Sequence, residues 1–295
     1  MEALVTVSLI VAALLLAWAV PRWRLRRALS RPLPAGALAT MERNVAQYRG
    51  MDASQRARLE RLVRRFLHEK TFVGCAGLEV TDEMRVTVAA QACLLLLGTR
   101  GDAVYPTLHS VLIYPGAFLV PRRQVDEAGV VTEERQDLLG ESWGDGRVIL
   151  SWDHVQQRAD NEEPPTGAPA RSNVVLHEFA HQLDSESGST NGAPYLGSAE
   201  RYRSWSEVLS RDFAALRHDA WFGHEGVLDH YGATNPAEFF AVATEAFFEQ
   251  PHRLAERHGA LYEEFLKYYR VDPRAWSAPP APEPELHGIV YGQWQ

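Results

Sequence analysis

Val174-Val175-Leu176-His177-Glu178-Phe179-Ala180-His181-Gln182-Leu183-Asp184 is the stretch on which the reading of this chain turns. Histidines four apart on an α-helix leave from the same face, one turn above the other. Two imidazoles so placed offer one nitrogen each to a single Zn²⁺, and Glu178 beside them can act as base toward a water at the metal. Val174, Val175, Leu176, Phe179, Ala180 and Leu183 are apolar, so the segment is expected to be a buried helix. Two histidines and a glutamate are costly to bury without partners. The pattern is therefore read as a metal site and not as a chance pair of histidines.

A catalytic zinc takes three protein ligands and a water, so one ligand is missing. In the long form of the motif a third histidine follows ten residues after the first; here that position is Ser187, and Asp184 stands where the long form has its glycine. A carboxylate from a later helix is the better expectation. Glu238, Glu245 and Glu249 are the candidates, all within Pro236–Glu249, which reads as strongly helical and stops before Pro251. Asn235, Pro236 and Glu238 also fit a helix N-terminus, with Asn as cap and Glu in the first turn, which gives Glu238 a competing structural role. Asp184 shares the face of His177 and His181. It reads either as a carboxylate orienting an imidazole or as a solvated helix end. His218, His224, His230, His252 and His258 have no ligand spacing and read as surface or satisfied core histidines.

Outward from the motif, Asp160–Pro169 is a polar, Pro-rich loop and Ser185–Pro194 a Ser, Gly and Asn loop. Ser110–Tyr114, Phe118–Val120, Val130–Thr132 and Arg147–Trp152 read as strands, with turns at Asp126–Gly129 and Gly144–Gly146. Arg147–Trp152 precedes the metal helix, as either an exposed sheet edge on which an extended peptide would lie or an ordinary core strand. Helical patterns cover Met41–Lys70, Thr81–Leu97, Tyr202–Leu216 and Leu254–Tyr269. The arginine run from Arg56 to Arg65 reads as a solvated helix face.

The first residues are different in kind. Ala3–Val20 is uncharged and nearly all apolar, long enough to cross a bilayer, which takes about 20 residues. Arg22, Arg24, Arg26, Arg27 and Arg31 follow, with Trp18 and Trp23 at the interface. Basic residues stay on the cytoplasmic side, so a single-pass anchor in the cytoplasmic (inner) membrane with a cytoplasmic domain is expected. A cleaved signal peptide is the rival, given Ala17-Trp18-Ala19, but no basic residue precedes the apolar run. The organisation expected is an anchor over residues 1–24, a linker over 25–40, a catalytic domain over 41–272 and a Pro-rich disordered tail over 273–295. The net charge of -8 argues against nucleic-acid binding, and the two cysteines, Cys75 and Cys93, read as free thiols.

Four segments occur in order: Ala89-Ala-Gln-Ala-Cys-Leu-Leu-Leu-Leu97, Gly140-Glu-Ser-Trp-Gly-Asp-Gly-Arg-Val-Ile-Leu-Ser-Trp152, the His177–Asp184 motif, and Tyr231-Gly-Ala-Thr-Asn-Pro-Ala-Glu238-Phe-Phe-Ala. Together they resemble the Mlc titration factor A family of zinc peptidases, over roughly residues 66–272. That family is itself similar to the catalytic domain of anthrax lethal factor. The resemblance implies Glu238 as third ligand and Tyr231, seven residues before it, as hydrogen-bond donor to the oxyanion. It implies an α+β, zincin-like metallopeptidase domain, mostly helical with a small mixed sheet, here preceded by one transmembrane helix that the family's namesake does not supply.

The expected function is zinc-dependent hydrolysis of peptide or protein substrates, with Glu178 as general base. By resemblance the action is aminopeptidase-like. The alternative, also from the resemblance, is a binding protein that sequesters a transcription repressor on the same fold. A purely structural zinc is the weakest reading, because structural sites close with Cys and His.

Overall fold

Asn173 shows how local chemistry starts the central helix: its Oδ1 accepts from the Leu176 N–H at 3.1 Å, capping the segment that carries the histidines. The protein, seen as a computed structural model, is described over residues 1–125, 131–138, 140–143, 146–159 and 172–279. In order it runs α1 (Glu2–Leu29), α2 (Ala37–Asn44), α3 (Ala46–Gly50), α4 (Ala53–Glu69), β1 (Thr71–Gly74), α5 (Asp82–Leu94), β2 (Ser110–Tyr114), β3 (Phe118–Val125), β4 (Val131–Leu138), β5 (Gly140–Trp143), β6 (Arg147–Ser151), α6 (Trp152–Ala159), α7 (Val174–Ser185), α8 (Ala199–Phe222), α9 (Pro236–Glu249), α10 (Pro251–Arg257) and α11 (Gly259–Tyr269). Single 3₁₀ turns occupy His230–Ala233 and Pro273–Trp276. The fold is thus mostly helical with a small sheet, as expected.

The sheet is mixed, in the order β1-β2-β6-β5. β1, β2 and β6 are parallel, and β5 closes the sheet antiparallel to β6. A separate antiparallel hairpin joins β3 and β4. β6 has a partner on each side, so Arg147–Ser151 is not an exposed edge; β5 holds that place. Trp152 leaves the strand and opens α6.

Other boundaries moved for identifiable reasons. The continuous pattern from Met41 to Lys70 is three helices. Val45 is extended (φ −127°), and Asp52 starts a new helix with a capping box, its carboxylate taking the Ser54 and Gln55 N–H groups while the Gln55 side chain returns to the Asp52 N–H. His258 (φ −132°) likewise divides Leu254–Tyr269 into α10 and α11. α1 continues through Pro21 to Leu29, a proline costing a helix one hydrogen bond without having to end it. The expected linker therefore holds the end of α1 and the start of α2, and Ala37 and Thr40 are already buried. Trp276, assigned to the tail, is buried; its Nε1–H donates to Gln55 Oε1 at 3.0 Å and its ring stacks on Phe248. The rest of that tail from residue 280, the Asp126–Gly129 turn, Gly144–Asp145 and the 160–169 loop lie outside the described residues.

α7 sits in the core. Phe179 meets Phe66 of α4 and Tyr105 at ring distances of 5.7 and 4.8 Å, each such buried ring contributing about 1.5–3 kcal/mol. α9 is held by Trp205, Phe265 and Tyr262 packed against Phe240 and Phe247. These apolar contacts hold α7 and α9 independently of the polar contacts between them. Leu4–Leu29 is long and apolar enough to cross a membrane; its apolar N-terminal part is exposed, and Leu25, Ala28 and Leu29 at its other end are partly buried.

Candidate metal centre

Position along α9 assigns the three candidate glutamates. Residues 238, 245 and 249 are spaced i, i+7 and i+11, which on a 3.6-residue helix is one stripe, and that stripe faces α7. Glu238, at its start, reaches the histidine pair. Its Oε2 lies 2.9 Å from His177 Nε2 and 3.3 Å from His181 Nε2, and the two Nε2 atoms are 3.2 Å apart. Glu245, one step along, meets the other side of the His177 ring, with Oε1 2.7 Å from Nδ1. Its Oε2 accepts from the Asn173 N–H at 2.6 Å and Ser172 Oγ at 2.8 Å. Glu249, partly buried, accepts from Asn173 Nδ2 at 2.7 Å and so belongs to the helix junction.

His177, His181 and Glu238 are therefore the three that converge, with side-chain exposures of 10%, 12% and 15%. The fit to a metal ion can be tested on distances alone. Donors bound tetrahedrally at 2.0–2.1 Å stand about 3.3 Å apart. The triangle found has edges of 2.9, 3.2 and 3.3 Å, all between atoms that carry ligating lone pairs. Borderline divalent ions match this donor set, and the residues fit one. Glu238 does not reach back to close a capping box; the Asn235 side chain caps α9 unaided, taking the Ala237 and Glu238 N–H groups.

The electrostatics follow from the same contacts. Burial opposes charge on His177, but its bonds to Glu238 and Glu245 outweigh that and hold its pKa above the usual histidine value. Burial likewise opposes ionisation of Glu238, and the two imidazoles overcome it, keeping the carboxyl well below its usual range. Glu245 on Nδ1 fixes a proton there and leaves Nε2 to face the centre.

Glu178 is buried on α7 between the histidines, as the motif requires. Tyr231 lies in the 3₁₀ turn His230–Ala233 just ahead of α9, 45% exposed, its ring centroid 5.9 Å from that of His177. Asp229 caps that turn through the Tyr231 N–H at 2.8 Å.

Asp184 is fully buried, not solvated, and burial raises its pKa. Its Oδ2 accepts from the Gly192 N–H at 2.6 Å; among the described residues neither Asp184 Oδ1 nor His181 Nδ1 has a hydrogen-bond partner. Gly192 has φ +79°, and a Cβ there would stand 2.3 Å from the Pro236 carbonyl oxygen. The Gly192 carbonyl in turn accepts from Trp205 Nε1 at 2.9 Å. Asp184 therefore pins the loop after α7 against the first residue of α9. Glu245, a candidate third ligand in the sequence, instead supports the His177 ring from its other side, the 7-residue spacing from Glu238 placing both on one stripe; nothing in the sequence pointed to Gly192.

Comparison with known proteins agrees with the geometry. The profile of the family described as glucose-regulated metallo-peptidase M90 matches residues 20–270. An uncharacterized protein of Synechocystis sp. is 39% identical over 260 residues, covering 87% of this chain and 92% of its own length. Mlc titration factor A of Klebsiella pneumoniae is 33% identical over 228 residues, 76% of this chain and 82% of that protein. The Salmonella gallinarum protein of the same name is 33% identical over 226 residues, with the same coverage. A His/His/Glu centre of metal-binding geometry, carried on a chain matched over most of its length, makes this protein a member of the M90 metallopeptidase family.

Proposed function

We propose that this chain is a zinc-dependent peptidase held at the membrane by α1, with His177, His181 and Glu238 as the ligands. One observation carries the reading: three ligating atoms at tetrahedral spacing, gathered from two helices, with Glu178 on the same helix as the histidine pair. Zinc bound there supplies a Lewis acid that polarises a carbonyl and acidifies water. The chain's own groups do the rest. Glu178 takes the proton from the attacking water and returns it to the leaving amine, a role that wants a carboxylate beside the reacting atoms and shielded from bulk solvent. Tyr231 donates its phenol hydrogen to the oxygen on which charge develops. Glu245 holds the His177 ring in one tautomer and orientation. Asp184, through Gly192, keeps the loop after α7 seated on α9, and so keeps Glu238 in register with the histidines.

The test is hydrolysis of a mixed peptide library by the full chain in detergent, with zinc and with chelator. Activity lost to chelator and restored by zinc is expected, together with Glu178→Gln that retains metal and loses about 10²–10⁴ in rate. A Glu178→Gln variant with full turnover ends this mechanism.

The name of the Klebsiella and Salmonella relatives supports a second reading, titration of a regulatory partner. It needs no hydrolysis, so metal binding without peptide turnover would favour it. For the anchor, Arg22 and Arg27 lie over the Trp18 and Trp23 rings at 4.3 and 5.3 Å, an arrangement suited to a headgroup interface. The arginine end then faces the cytoplasm, and the peptidase domain with it.

A further inference from the structure

Among the described residues, a second group of metal-ligating side chains comes together away from the His177 centre. His218, Asp219 and His224 have donor atoms within 4.8 Å of one another. Their sequence spacing gives no hint of this, because the chain reverses between them. His218 and Asp219 lie close to the C-terminal end of α8, and Gly223 ends it in the left-handed conformation (φ 70°). Nothing stands near the position of a Cβ on Gly223, so the backbone reversal, not crowding, accounts for the glycine. His224 is then held at both ends: its N–H donates to the Asp219 carbonyl at 2.9 Å, and its carbonyl accepts from His230 Nε2 at 2.9 Å.

The result is that His218 Nδ1 and His224 Nδ1 each stand 3.6 Å from the same Asp219 Oδ1. That is too long for a hydrogen bond. It is within a few tenths of an ångström of the roughly 3.3 Å between donors sharing one ion with 2.0–2.1 Å bonds. The site also lies at the C-terminus of a 24-residue helix, the negative end of its dipole. The Phe222 ring forms one wall, 4.6 Å from His218 and 5.9 Å from His224. Two imidazoles and one carboxylate favour zinc, copper or nickel over magnesium or calcium.

We propose that His218, Asp219 and His224 form a second, peripheral site for a divalent transition-metal ion. The two imidazoles are largely exposed and the Asp219 carboxylate about half exposed, so water completes the coordination and binding is weaker than at the buried centre. The site is seven residues ahead of Tyr231 (231 − 224 = 7), and the His230 bond ties the two segments together. Occupancy therefore stiffens the turn that carries Tyr231.

The experiment is calorimetric titration of the tag-free full chain in detergent with Zn²⁺, after chelator treatment and dialysis. The double variant His218→Ala/His224→Ala is expected to bind one equivalent fewer than the native chain, losing the weaker one. Asp219→Asn should weaken that equivalent at least tenfold without disturbing the tighter one, and His177→Ala/His181→Ala should lose only the tighter one. His68→Ala, removing an exposed histidine on α4, should change nothing. If the His218/His224 double variant, folded by circular dichroism, binds as many equivalents as the native chain, the proposal fails. That failure would leave the peptidase reading untouched, since the latter is tested at His177 and by peptide turnover.

Discussion

Glu245→Gln is the sharpest perturbation of the centre, because it keeps volume and changes only what one group can accept. The native carboxylate serves two sides at once: Oε1 on His177 Nδ1, and Oε2 on the Asn173 N–H and Ser172 Oγ. An amide has a single acceptor oxygen. With that oxygen toward His177, its NH₂ meets the Asn173 N–H, donor against donor, and α7 loses part of its N-terminal anchorage. Turned the other way, the NH₂ faces Nδ1 and drives the proton onto Nε2, the atom the metal needs. Losing such a support costs metal affinity about 10–100-fold, or about 1.4–2.8 kcal/mol. The first orientation also leaves a buried donor unpaired at about 1–3 kcal/mol. At about 2–4 °C per kcal/mol for a domain of this size, the melting temperature should fall by several degrees. Competition against a chromophoric zinc chelator measures the affinity, and circular dichroism the melting. Unchanged affinity together with unchanged melting would refute the role given to Glu245.

Tyr231→Phe should retain metal and stability, because the ring is nearly half exposed, while kcat falls about 10²–10³-fold; a KM effect alone would argue for a binding role instead. A proton and a metal ion compete for His177 Nε2, so apparent zinc affinity should rise with pH through the raised His177 value and level off above it. In chelator the same groups act on folding with opposite signs. The raised His177 contributes stability fully present below its ordinary 6.5 and lost as pH rises through the folded value, and the lowered Glu238 contributes above 4.5 and loses it as pH falls. Melting temperature against pH should therefore have its maximum between those two values, and a curve that climbs steadily from pH 6 to 9 would contradict the pairing. For the anchor, protease added to the cytoplasmic face of inverted vesicles should digest the domain, and protection there would reverse the orientation.

Much of the centre was legible in residues 174–184, because helical periodicity is a local property: four residues apart means one face, whatever else the chain does. The same holds for Asn235 and Pro236 at the start of α9, and for an N-terminal apolar run that satisfies bilayer length by composition. What periodicity leaves equivalent is the stripe Glu238, Glu245 and Glu249. Resemblance singled out the first, but only the placement of α9 along α7 shows that each carboxylate meets a different partner. Edge and interior strands are another such case, since β6 has the same apolar run in either place and its neighbours are determined by pairing with β2 and β5.

The sequence by itself determined the chemistry on offer: two imidazoles and a carboxylate on one helix face, a glutamate-bearing helix to complete them, and a segment suited to lipid. Tertiary structure alone decided which groups meet. It seated Glu238 against both Nε2 atoms, sent Asp184 to Gly192, and folded His224 back onto Asp219. The physical reason is range: hydrogen-bond and ligation distances are satisfied within a few tenths of an ångström, whereas residues 60 positions apart are brought that close only by the packing of whole helices.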